Sequence, residues 1–304
     1  MERRSTAKTG GEWLILAAAV LWGTTGTAQA FAPPGAQPVG VGAIRLAIGG
    51  LALLAVAVGR GRLRSGAPWP VGITLLAAVC MAAYQLCFFA AVAKTGVAVG
   101  TVVAIGSAPV LAGGLGWLLN REKPGWRWGF ATALAILGCA LLVLPGGQRT
   151  LQVWGISLAL GAGVCYALYA LLAKRLLAGH APEAVMAVVF CLGAMLLSPA
   201  FFLVDFRWLA QWRGLAVALH LGLVATALSY TLFARGLKVV PTATAVTLSL
   251  AEPLTAGLLG VFLLGESLAL PAWIGVGLLF GGLALLSLKK RKSPGACART
   301  FSSN

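Results

Sequence analysis

Two stretches lying 144 residues apart, 88-FFAAVAKTGVAVGTVVAIGSAPVLAGGLGWLLNRE-122 and 232-LFARGLKVVPTATAVTLSLAEPLTAGLLGVFLLGE-266, agree without a gap at eleven of thirty-five positions. Shared alanines and leucines follow from apolar composition. The joint recurrence of a lysine (Lys94, Lys238), a proline (Pro109, Pro253), two glycines (Gly113 and Gly116, Gly257 and Gly260) and a closing glutamate (Glu122, Glu266) does not. The chain reads as a duplication, and the same offset sets Trp22 over Tyr166 and Gly49 over Gly193.

Of the 304 residues, 60% are hydrophobic and only 10% charged, which excludes a soluble protein with a charged shell. About 20 apolar residues cross a hydrocarbon core as a helix. Ten such runs are expected, at 12–31, 39–59, 69–93, 97–119, 125–144, 152–174, 182–204, 212–235, 240–264 and 270–288. They divide into a cytoplasmic segment 1–11, a first repeat 12–146, a second repeat 152–288 and a basic tail 289–304. Arg3, Arg4 and 28-AQA-30 imitate a cleavable leader, but the first run has a partner in the sixth, and removing it would leave an unmatched half.

The net charge of +16 suggests nucleic acid only if its placement is ignored. With the N-terminus inside, eighteen of the 23 Lys and Arg fall on the inner side, around Arg3, Arg60, Arg121, Lys174, Arg235 and Lys289. Lys94, Arg149, Arg207 and Arg213 fall on the outer side, and Arg45 lies inside a run. This bias places both termini in the cytoplasm, and it assigns the basic charge to topology and membrane lipids rather than to nucleic acid. Trp69, Trp126, Trp128, Trp208 and Trp212 lie near run ends and read as interfacial anchors. Five of the six cysteines lie within runs, with no spacing that suggests a metal site or a disulfide framework.

Five runs per repeat, an odd number, force the second copy to enter the membrane inverted. Inverted repeats recur in secondary transporters, where two similar halves exchange inward-open and outward-open shapes. The segment 253-PLTAGLLGVFLLGE-266, its first copy ending 121-RE-122, the ten runs and Arg45 early in the second run resemble the drug/metabolite transporter superfamily, in its EamA-type ten-helix branch. The resemblance spans residues 12–288. It implies an all-α integral membrane protein, and overall likeness suggests a YddG-like exporter that accepts aromatic amino acids.

Glu252 has thirteen uncharged residues on each side. An acid at a helix centre costs roughly 2.5–3.5 kcal/mol on insertion scales, so it belongs in a bundle interior or a wet cavity. It reads as a proton-binding carboxylate, an anchor for a substrate ammonium, or a structural partner of the backbone that Pro253 frees. Pro109 and Pro253 kink their helices by removing a backbone donor. Arg45 is a partner for a substrate carboxylate or a snorkelling cation. His220 is a pH-sensitive coupling residue or a satisfied buried histidine. Trp22 and Tyr166, equivalent by the repeat, wall a cavity to which Tyr84, Gln85, Ser107 and Tyr230 add polar groups.

These residues point to a carrier that moves neutral or aromatic amino acids outward across the cell's inner membrane. A proton-coupled exporter of drugs or other metabolites is the alternative within transport, and a scaffold or lipid-binding protein is the alternative from another class. No nucleotide-binding loop, metal cluster or nucleophile motif points to an enzyme, so no cofactor or metal is expected. The expected partners are a small-molecule substrate and lipids, with the chain a monomer or homodimer.

Overall fold

The computed structural model describes residues 10–63, 67–121, 123–143, 152–265 and 267–288. Glu122, Glu266 and the basic tail lie outside the described residues. Within them the regular structure is helical, as hydrocarbon demands of a chain that must bond its own backbone. The helices are α1 (Gly11–Ala30), α2 (Pro38–Gly59), α3 (Val71–Asn120), α4 (Trp126–Val143), α5 (Val153–Leu177), α6 (Pro182–Leu196), α7 (Ala200–Leu203), α8 (Trp212–Leu219), α9 (Ser229–Leu237), α10 (Thr242–Leu248), α11 (Ala251–Leu264) and α12 (Leu270–Ser287). A 3-10 turn, Arg207–Ala210, precedes α8, and a π-helical stretch, His220–Leu228, joins α8 to α9.

Eight segments are long and apolar enough to cross a membrane, and Trp126–Leu142 is a shorter apolar helix. The 20-residue α1 is not among the eight, although it has the length. The protein is therefore a multi-pass membrane protein.

Helical turns run unbroken through the 50 residues of α3, where two runs with a connection were expected. A straight rod would separate residues eight apart by about 12 Å along its axis. Instead, a methyl built on Gly100 would lie 3.1 Å from the Cα of Val92, so the chain reverses between them. Both arms pack on α5: Gly155, at its start, meets Thr95, Gly163 meets the Ala104 carbonyl, and Arg175, at its end, donates to the Leu119 carbonyl at 2.9 Å.

Three other runs are interrupted. The run 182–204 stops at Leu196 and restarts after Pro199, and 212–235 contains the π stretch. The run 240–264 divides into α10 and α11 at Ser249 and Leu250. Trp126 and Trp212 stand exposed, but three of the expected interfacial tryptophans do not. Trp208 is only 3% exposed, Trp128 is hydrogen-bonded to Thr247, and Trp69 stacks on His180 with ring centroids 3.9 Å apart.

The helices gather many of their basic residues at one end. There Glu183, in the first turn of α6, accepts from Arg235 and lies 3.5 Å from Arg60, while Lys174 donates to the Val240 carbonyl at 2.7 Å. Gly11, opening α1, abuts Val239 and Val240 at this basic end, so the other end of α1, at Gln29, marks the opposite end.

Contacts between the halves recur with the repeat offset when the halves are exchanged. Methyls built on Gly138 and Gly275 would each strike the other's carbonyl, at 2.6 and 2.5 Å. Shifting Gly138 forward and Gly275 back by 144 gives Gly282 and Ala131, and a methyl on Gly282 would lie 2.7 Å from the Ala131 carbonyl. Gly49 against the Gly222 carbonyl recurs in the same way as Gly193 against the Ala78 carbonyl. In the first case the order of contacts makes α4 and α12 antiparallel. Glycine permits such backbone approach, which is what holds helices together in lipid.

Gly138→Leu forces α4 from α12, an overpacking that costs about 1–3 kcal/mol. It should lower the melting temperature in detergent by several degrees, whereas Gly281→Ala, where a methyl meets nothing within 4 Å, should not. Equal melting of the two variants would contradict this packing.

Candidate functional site

The break between α10 and α11 lies just ahead of Pro253, which has no N–H to give to the Ser249 carbonyl. That carbonyl accepts instead from the Glu252 N–H at 3.0 Å, and the Leu250 N–H turns back to the Thr247 carbonyl at 3.0 Å. Ser249 Oγ donates to the Ala245 carbonyl at 3.2 Å, so the Tyr166 hydroxyl, also 3.2 Å from it, is the donor in that pair. Glu252 thereby falls in the first turn of α11. The positive end of a helix dipole favours negative charge in a first turn.

Glu252 and Pro253 line a cavity of about 980 Å³. Six of the expected polar and aromatic residues share its wall: Trp22 from α1, Arg45 from α2, Tyr84 and Gln85 from α3, Tyr166 from α5 and Tyr230 from α9. Trp22 packs on Tyr230 with ring centroids 4.8 Å apart, and Tyr84 on Tyr166 at 5.6 Å, so paired aromatic rings form part of the wall. The cavity reaches Gln29, Ser267 and Leu268 at the end opposite the basic cluster, and the half of α1 before Trp22 contributes nothing to it. It is a vestibule open at one end and closed at the other.

Arg45 is oriented by the π stretch. The wide turn lets Thr226 Oγ1 donate to the Leu221 carbonyl, five residues back, at 2.8 Å, and the same oxygen accepts from Arg45 Nε at 3.3 Å. Among the described residues no hydrogen bond or ion pair engages the terminal nitrogens of Arg45 or the carboxylate of Glu252. The wall therefore presents a carboxyl group and a guanidinium, the guanidinium held at Nε by Thr226.

Three expected residues lie elsewhere. Ser107 donates to the Ala104 carbonyl at 3.2 Å and faces Gly163, and Pro109 sits inside the second arm of α3. His220 meets Thr24 at 2.8 Å. Thr24 gives its own proton to the Leu21 carbonyl at 2.7 Å, so His220 Nε2 is the donor. Sequence reasoning missed Phe88, Phe89, Thr101 and Ser249 in the wall, and the repeated glycine Gly257 also lines it. Phe88 follows Tyr84 by one helical turn, a spacing that carried the signal.

Comparison with known proteins agrees with this architecture. The EamA-like transporter family matches twice, over residues 9–144 and 153–288. An uncharacterized transporter of Bacillus subtilis, YwfM, is 48% identical over 95% of this chain and 97% of its own length. The threonine/homoserine exporter RhtA of Escherichia coli K12 is 33% identical over 84% of this chain and 83% of its own. A solved crystal structure, 23% identical, superposes with a TM-score of 0.77 over 91% of this chain and 96% of that one, which shows the shared fold. The chain is a membrane transporter rather than an enzyme, and it belongs to the EamA-like transporter family.

Proposed function

We propose that the protein exports neutral amino acids, aromatic ones included, across the cell's inner membrane by alternating access. An amino acid is a zwitterion and needs a partner for each charge. The observation that carries this reading is the cavity wall, where the carboxyl of Glu252 and the terminal nitrogens of Arg45 lie among aromatic rings without a hydrogen bond or ion pair among the described residues. Glu252 takes the ammonium, Arg45 the carboxylate by a charge-assisted contact, and Trp22, Tyr84, Tyr166 and Tyr230 enclose the side chain. An amino-acid exporter among the relatives supports the substrate class. A cationic drug fits the wall less well, because Arg45 repels it. His220, bonded to Thr24 away from the cavity, has no coupling role in this reading.

In the same proposal the chain spans the membrane ten times, as two inverted five-helix repeats over 12–146 and 152–288, with both termini in the cytoplasm. The twofold family match, the exchanged contacts of α4 and α12, and the antiparallel run of those helices support it. Helices related by a twofold axis and antiparallel to one another are perpendicular to that axis, so it lies in the membrane plane. The cluster of Arg60, Lys174 and Arg235 makes the basic end the cytoplasmic one. The vestibule then faces outward.

Purified protein in liposomes should take up radiolabelled threonine and phenylalanine saturably. Absence of uptake for every amino acid tested would contradict the substrate class. Arg45→Gln should raise the half-saturation concentration at least about tenfold, the scale of a hydrogen bond to a charged group. It should also erase the preference for phenylalanine over phenethylamine in competition. Glu252→Gln should erase the preference for phenylalanine over 3-phenylpropanoate, and unchanged preferences in both variants would contradict the assigned roles.

A further inference from the structure

The two ends of the molecule use equivalent segments differently. In the first repeat Thr101, Ala104 and Ile105 of α3 line the open vestibule. The offset of 144 places their counterparts at Ala245, Leu248 and Ser249: Ala245 and Leu248 are completely buried and outside the cavity wall, and of the three only Ser249 reaches the cavity. A segment that walls the opening in one copy is a plug in the other.

The plug is tied to α4 by side chains. Thr247, completely buried, gives its hydroxyl proton to the Ala243 carbonyl at 2.9 Å. Its two lone pairs then accept from the Trp128 indole N–H and the Thr132 hydroxyl, each at 3.0 Å. Thr132 is 3% exposed, and the Trp128 ring rests on Gly113, where a methyl would collide with it. One hydroxyl thus joins the second-half helix α10 to the first-half helix α4 with its hydrogen-bonding capacity filled. Such a network, fully satisfied in a low-dielectric interior, fixes one arrangement and is costly to leave half made.

The other end has no equivalent. The counterparts of Thr247, Trp128 and Thr132 are Val103, Ala272 and Val276, which have no side-chain hydrogen-bonding groups. Val103 packs in a separate apolar cluster with Ala91, Ala104 and Ala159, away from the main core that holds Ala272 and Val276. The difference in chemistry coincides with the difference in closure.

We infer that Thr247, with Trp128 and Thr132, is a hydrogen-bonded latch that holds the basic end shut, and that opening toward that end requires its rupture. Thr247 is in this sense a positioning residue for transport: it touches no substrate and sets which side the cavity faces. The inference rests on the reading of the cavity as one half of an alternating path. Thr247→Val keeps the shape, removes the hydroxyl and reproduces the residue of the first repeat. Trp128→Phe keeps a ring and removes the donor.

The test uses the full chain in liposomes, with its six cysteines replaced by alanine and one new cysteine at the cavity residue Ala256. A membrane-impermeant maleimide is applied from the mouth side or from the basic side. The parent should react from the mouth side. Thr247→Val and Trp128→Phe should raise the ratio of basic-side to mouth-side reaction about tenfold, the equivalent of one hydrogen bond at the upper end of its usual worth, and Thr247→Ser should keep the parent ratio. Melting curves recorded in parallel separate the roles: a lower melting temperature with an unchanged ratio would make the three residues structural and overturn the latch alone. No reaction from the mouth side in the parent would contradict the cavity as a transport path, and the latch with it.

Discussion

The missing amide at Pro253 is the constraint on which the site depends. A helix passing through the break at Ser249 and Leu250 would bury Glu252 mid-rod, where a carboxylate finds only apolar neighbours and bonded backbone. The turn breaks ahead of Pro253, α11 begins anew at Ala251, and Glu252 falls in its first turn with a face on the vestibule. The same break ends α10 as a seven-residue plug. One backbone constraint thus creates the anionic group of the cavity and the element that closes the cavity below it.

A second distortion serves the opposite charge. The π stretch between α8 and α9 widens one turn so that Thr226 can bond five residues back and still accept from Arg45. Single π turns inside helices are costly and gather at functional positions. Both irregularities lie in the second repeat: at the offset positions the first repeat has Ala108 where Glu252 stands, and unbroken helix where α10 and α11 part. The halves pack by contacts that recur on exchange, at Gly138, Gly275, Gly282 and Ala131, while the charged groups and the helix breaks of the cavity differ between them. A carrier needs both, since symmetry makes two conformations comparable in energy and asymmetry decides how each is held and what it binds.

Much of this was legible in the sequence, for reasons that differ by level. Helices declared themselves by length and apolarity, and depth could be counted along them, so Glu252 and Arg45 were found from isolation alone. Rotation about the helix axis could not be read. A segment such as α12 is apolar on every side, because lipid and protein neighbours demand nearly the same surface, and the usual amphipathic signal is absent. Ser107 was accordingly expected in a cavity from which it faces away, and Phe88 was passed over. Trp208 and Trp128 sit near helix ends as interfacial anchors do, yet contacts from distant segments bury one and bond the other. The reversal inside α3 was expected from the boundary between the runs 69–93 and 97–119, but the helical turns that continue through it were not.

In a carrier of this kind one cavity opens at either end in turn. Spin labels at Phe31 and Ser267 flank the mouth, and labels at Trp126 and Lys238 span the basic end. Pulsed distance measurements on both pairs in liposomes, with and without threonine or phenylalanine, test the claim directly. Alternating access gives two distances for each pair, with populations that trade as substrate is added, the basic-end pair widening as the mouth pair narrows. A single distance at both ends, indifferent to substrate, would contradict it.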